Sequence, residues 1–115
     1  MIVSQVAAAL SLEVRAGARS LDGEVTGAYV SDLLSCAMAG ARQGGLWITL
    51  QGHLNVIAIA NLNDLAGVIV TEDKPISPEA LARADQEGIP VLTTGMTSFE
   101  TAGRLYALLA DGRRL

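Results

Sequence analysis

Leu46-Trp47-Ile48-Thr49-Leu50-Gln51-Gly52-His53-Leu54-Asn55-Val56 runs from a near-continuous apolar stretch, through a polar elbow, into a segment that stays apolar to Leu62. A short apolar run bounded by turn residues reads as a strand covered on both faces. Residues 54–62 then read as the helix that follows it, so the chain is strand, elbow, helix at its centre. Downstream the same unit recurs. Residues 67–71 form a β-rich run, and Ser77-Pro78-Glu79 supplies a cap, a first-turn proline and an acidic first-turn residue for a helix that ends at Gly88. Residues 89–94 give the last strand, and Thr97-Ser98-Phe99-Glu100 fits a capping box for a final helix of about residues 98–110.

Upstream, Ser4 offers a cap to a short helix over residues 4–10, and residues 12–16 alternate as a half-buried strand that Gly17 ends. After a loop through Asp22-Gly23, residues 25–30 read as a strand, and Ser31-Asp32 offer caps to a helix over 33–43. That helix places Leu33, Leu34, Ala37 and Met38 near one face, with Gly44-Gly45 as its stop. Strands alternating with helices require crossover connections. The expected fold is therefore α/β, one domain over residues 1–115, with a mainly parallel sheet and helices on both faces.

Composition narrows the function. The 115 residues are 50% hydrophobic, with 8 basic against 12 acidic side chains and a net charge of −4. Such a chain can bury a core, and its charge disfavours phosphate-backbone binding, so no nucleic-acid partner is expected. No apolar run approaches the roughly 20 residues of a membrane helix, and no basic residue precedes the apolar part of residues 1–10 as in a secretory signal. A cytoplasmic location is expected, with no membrane partner. One cysteine and one histidine are too few for a disulfide, a structural zinc site or an iron–sulfur cluster. Cys36, amid Leu34, Ala37 and Met38, reads as a buried thiol, and Trp47 as core. Asp22 and Glu24 have no third carboxylate or histidine nearby in sequence, so no metal site is expected there.

In open parallel sheets, ligands bind beyond the carboxyl ends of the strands. The loops there hold Gln51, His53 and Asn55 after one strand, Glu72-Asp73-Lys74 after the next, and Thr93, Thr94 and Ser98 after the last. Hydroxyls and backbone amides at a helix start suit an anion, although Thr97 and Ser98 also fit as simple caps. His53 suits a phosphate or base donor and equally a polar-network residue. Lys74, the only lysine, suits an anion contact and equally a solvated turn. There is no Gly-x-x-x-x-Gly-Lys-Ser/Thr, Gly-x-Gly-x-x-Gly, Gly-x-Ser-x-Gly or His-Glu-x-x-His motif. A self-sufficient kinase, ATPase, dehydrogenase, hydrolase or zinc peptidase is not expected.

Three blocks carry a family likeness: residues 22–34 (DGEVTGAYVSDLL), residues 46–56 (LWITLQGHLNV), and Gly88-Ile89-Pro90-Val91-Leu92 leading to Ser98-Phe99-Glu100. In this order they resemble the DRTGG domain family over nearly the whole chain. The chain keeps Asp22, Thr26 and Gly27 of the family's motif, with Gly23 where the family has Arg and Ala28 where it has its last Gly. The resemblance implies an α/β regulatory domain, found beside CBS domains in a pyrophosphatase type and on some phosphotransacetylases, and associated with adenine-nucleotide binding and dimerisation. The sequence is also similar to the N-terminal domain of HPr kinase/phosphorylase, whose phosphate loop lies in a separate domain, so the likeness implies no kinase activity here.

The expectation is thus a non-catalytic regulatory or sensor domain, homodimeric, with no cofactor, that binds a small anionic ligand such as an adenine nucleotide. Gln51, His53, Asn55, Thr93, Thr94 and Ser98 would supply donors, and Asp22, Thr26 and Gly27 would shape the motif loop. A second class is a ligand-free interaction or accessory module for a larger enzyme, of a redox, hydrogenase or kinase system. A third is phosphotransfer within a complex.

Overall fold

Every residue of β3 (Gly45–Thr49) and β4 (Gly67–Val70) is buried, as a strand sandwiched between two helical layers must be. The computed structural model describes residues 1–113. Around these two strands stand β1 (Glu13–Ala16), β2 (Gly27–Val30) and β5 (Val91–Thr93), in the order β1-β5-β4-β3-β2. The helices are α1 (Val3–Leu10), α2 (Leu34–Gly40), α3 (Leu54–Leu62), α4 (Pro78–Glu87) and α5 (Ser98–Arg113). Period-two alternation divides each apolar strand between two cores. Trp47, Val68, Val70 and Val91 face α2, α3 and α4, whereas Leu46, Ile48, Ile69 and Leu92 face α1 and α5. The α/β class, the mainly parallel sheet and the helices on both faces stand as expected.

β2, β3, β4 and β5 are parallel neighbours, but β1 runs antiparallel to β5 with Glu13 opposite Thr93. The chain reaches β1 from α1, with no crossover from a neighbouring strand to fix a parallel direction. Gly17 closes this edge: its φ of 71° is left-handed, and a Cβ there would lie 2.1 Å from the Ile89 carbonyl oxygen.

Several local expectations are corrected. Ser4 does not cap α1; Gln5 Oε1 accepts from the Ile2 amide instead. The regular strand before α2 is only Gly27–Val30, because the amides of Val25 and Thr26 go to Met1 and Gly44. Asp32 does not cap α2 either. Its Oδ1 accepts from Thr49 Oγ1 at 3.0 Å and from the Leu50 amide at 2.7 Å, so it ties the loop after β2 to the end of β3. α2 stops at Gly40 rather than at residue 43, because Asn63 Nδ2 reaches the carbonyls of Ala37, Met38 and Ala41 and terminates the helix from outside. Only Ala37 of α2 is buried, and Leu33, Met38 and Cys36 are exposed. A helix of seven residues covering a sheet margin has too narrow a contact to bury the whole stripe that the spacing suggests. Trp47 is core, fully buried with Nε1 donating to the Ser31 carbonyl at 2.8 Å.

Candidate functional site

The carboxyl ends of β3 and β4 lead into α3 and α4, and the two connecting loops are locked together at one glycine. A Cβ on Gly52 would lie 2.1 Å from the Pro75 carbonyl oxygen, and the Ser77 amide donates to the Gly52 carbonyl at 2.9 Å. Only a residue without a side chain permits that approach. The result is a cleft of about 460 Å³ lined by Leu50–His53 and Lys74–Pro78. It brings together the only histidine and the only lysine of the sequence.

Each side chain has a structural reason for its place. His53 is the N-cap of α3, with Nδ1 accepting from the Asn55 amide at 3.1 Å. A ring nitrogen that accepts carries no proton, so the neutral ring keeps its donor on Nε2. Ser77 caps α4 by accepting from the Ala80 amide, with Pro78 in the first turn. α3 and α4, nine and ten residues long, therefore begin at the same cleft, each with the partial positive charge of a helix N-terminus. Lys74 adds a full positive charge, Gln51 an exposed amide, and Asn55 an exposed amide in the first turn of α3. This arrangement can hold a negative charge and hydrogen-bond it. The hydroxyl that lines the cleft, Ser77 Oγ, is engaged as the cap of α4.

Thr93, Thr94 and Ser98 lie at the neighbouring corner, after β5, and their surroundings differ. Ser98 Oγ shares a 2.6 Å hydrogen bond with buried Thr71 Oγ1, and Thr94 Oγ1 accepts from the Met96 amide. Thr97 Oγ1 accepts from the Glu100 amide, which is the cap that the sequence predicts for α5. The loop after β4 folds onto this corner through Glu72 and Asp73, both left-handed, whose amides donate to the carbonyls of Met96 and Thr94. Asp73 lies across Gly95, whose Cβ would stand 2.9 Å from Asp73 Oδ2. A carboxylate of the chain itself thus occupies the ground beside the start of α5, and the hydroxyls of Thr94, Thr97 and Ser98 are engaged internally.

Asp22, Thr26 and Gly27 stand apart from both corners. They lie before or at the start of β2, at the amino ends of the parallel strands, about 13 Å of strand away from the loops just described. Thr26 Oγ1 donates to the Gln43 carbonyl, and Thr26 and Gly27 line a separate hollow with Tyr29, Gly40 and Arg42. The nine candidate residues therefore divide between the two ends of the sheet. Asp32 and Gly52, which build the cleft margin, carry no sequence signal beyond their place in strand-end loops. Among the described residues no group of three or more His, Cys, Asp or Glu stands close enough to hold a metal, and no helix is long and apolar enough to cross a membrane.

In a mainly parallel α/β domain the loops beyond the carboxyl ends of the strands are where ligands bind, and six of the nine candidate residues lie there. The DRTGG domain model matches residues 5–108, and the chain belongs to that family. Among solved structures it is similar to the CBS and DRTGG domains of the regulatory region of Clostridium perfringens pyrophosphatase, complexed with the activator diadenosine tetraphosphate. The TM-score is 0.68 at 18% identity, over 87% of this chain and 44% of that one, so the present chain spans less than half of that neighbour. No curated protein matches.

Proposed function

We propose that this protein is a non-catalytic regulatory domain, homodimeric, that binds a small anionic ligand such as an adenine nucleotide. The observation that carries the reading is the meeting of His53 and Lys74 in one cleft at the start of α3 and α4. The hollow is shallow and open to solvent, so a ligand there would be held by charge and hydrogen bonds rather than by enclosure. Lys74 would neutralise a phosphate, the imidazole Nε2–H and the amides of Gln51 and Asn55 would hydrogen-bond it, and the two helix starts would favour its charge. Family membership supports a regulatory role, and the structural neighbour carries an anionic adenine activator. Thr93, Thr94 and Ser98 would shape the adjoining rim, with Asp73 repelling phosphate from it. Asp22, Thr26 and Gly27 would act at the other end of the sheet, outside the anion contact.

Calorimetric titration with AMP, ATP and diadenosine tetraphosphate tests this. At least one should bind saturably, and Lys74→Ala should weaken it about tenfold, as expected for loss of a charge-assisted contact. His53→Asn should also weaken binding while preserving the helix cap, since asparagine caps at least as well. Absence of heat from all three with wild-type protein would remove the nucleotide reading. Phosphorylated product in an ATP assay would instead favour phosphotransfer.

A further inference from the structure

The outer face of α5 holds the largest exposed apolar side chains of the described residues, Phe99 at 89% and Tyr106 at 77%. Seven residues apart, they share one helical face with Gly103 between them. Gly103 is unexplained within the chain, because a Cβ there would meet nothing within 4 Å and its φ is not left-handed. An exposed helix-interior glycine in that condition is costly relative to alanine. The stripe borders a groove of about 530 Å³ lined by Ala28, Val30, Ile48, Ala102 and Tyr106, beside β2, the last strand of the sheet.

We infer that this face of α5 docks against the same face of a second copy, the two helices running antiparallel about a two-fold axis at Ala102–Gly103. The inference rests on the homodimer in the proposed function and names its surface. The spacing is self-complementary: pairing centred between residues 102 and 103 puts Phe99 opposite the second copy's position 106, twice over. It also puts Glu100 beside the second copy's position 104, on the same side of the helix pair. In each chain Glu100 and Arg104 already form an ion pair at 3.4 Å, so the two acids and two arginines would form a ring of alternating charge at the rim of the aromatic contact. Gly103 at the crossing lets the backbones approach. A closed two-fold contact also accounts for two exposed aromatics on one stripe, which otherwise invite open-ended association.

Sedimentation equilibrium of the wild type and two sets of variants tests the inference, with the nucleotide titration repeated on each sample. The wild type should be a dimer. Tyr106→Glu should raise the dimer dissociation constant about thirtyfold or more, the effect of losing an interface hot spot. Glu100→Arg and Arg104→Glu should each weaken the dimer, and an equimolar mixture of the two single variants should associate again, because each chain then keeps a like-charged pair and unlike charges meet only across the interface, a recovery that helix stability alone would not produce. A wild-type monomer overturns both this interface and the homodimer, and leaves the nucleotide reading to the titration. A dimer indifferent to Tyr106→Glu and to the charge exchange overturns this interface alone, as would a partner of another kind seated on α5.

Discussion

Gly52 shows how one residue without a side chain makes a site. The loops after β3 and β4 meet at its Cα, and the cleft holding His53 and Lys74 exists because they do. Gly52→Ala should force those loops apart at a cost of about 1–3 kcal/mol, the range for overpacking, and should weaken ligand binding at the same time. Urea unfolding and calorimetry on the same variant measure both. Gly27 is the control: a Cβ there meets nothing within 4 Å, so Gly27→Ala should change stability by no more than about 0.5 kcal/mol although it alters a family-motif position. At this scale the sequence names Gln51, His53 and Asn55 as strand-end residues because position after a buried apolar run is a local property. That His53 and Lys74, twenty-one positions apart, share a cleft is not local. It depends on Gly52 meeting Pro75, a contact between loops that no spacing encodes. The exposure of Cys36 has the same origin, since burial on α2 depends on what lies beneath it.

Elements are legible where their ends carry chemistry within the chain. Ser77 and Pro78 start α4 and Gly88 ends it in the left-handed conformation, at the positions the sequence predicts. The stop that the sequence offers for α2, Gly44-Gly45, lies beyond the point where the distant Asn63 side chain ends the helix, so its boundary is misread by three residues. Asn63→Ala should remove the hydrogen bonds to the carbonyls of Ala37, Met38 and Ala41 and let the last turn of α2 fray. A stability loss of about 1–2 kcal/mol is expected, with faster amide hydrogen exchange concentrated in Cys36–Gly45 and little change in α4. Uniform exchange changes across the chain would show that Asn63 acts on the whole fold instead. The direction of β1 escapes the sequence for a related reason. Alternating polarity fixes which face a strand buries, whereas its direction follows from where α1 delivers the chain.

For the molecule as a whole, the sheet is a wall with a core on each side, and the question is whether the two cores are one cooperative unit. Each of β3, β4 and β5 contributes alternate side chains to both, so neither layer can lose its strands while the other keeps them. Trp47 is the only tryptophan and sits wholly in the core beneath α2, α3 and α4, which makes its fluorescence a reporter for that side. Leu105 is buried in the other core, on α5. Leu105→Ala should cost about 2–5 kcal/mol, the range for truncating a buried leucine, against a total stability of about 5–15 kcal/mol for domains of this kind. With a urea slope of about 1–3 kcal/mol/M, the midpoint should fall by about 1–2 M. If the sheet couples the two cores, Trp47 fluorescence and helical circular dichroism should shift by the same amount and remain superimposed, although the substitution and the reporter lie on opposite faces. A fluorescence midpoint that stays in place while the circular dichroism shifts would show that α1 and α5 unfold from a persisting sheet. In that event α5 would be a separable layer, and its association with a second copy would stabilise that layer without raising the stability that Trp47 reports.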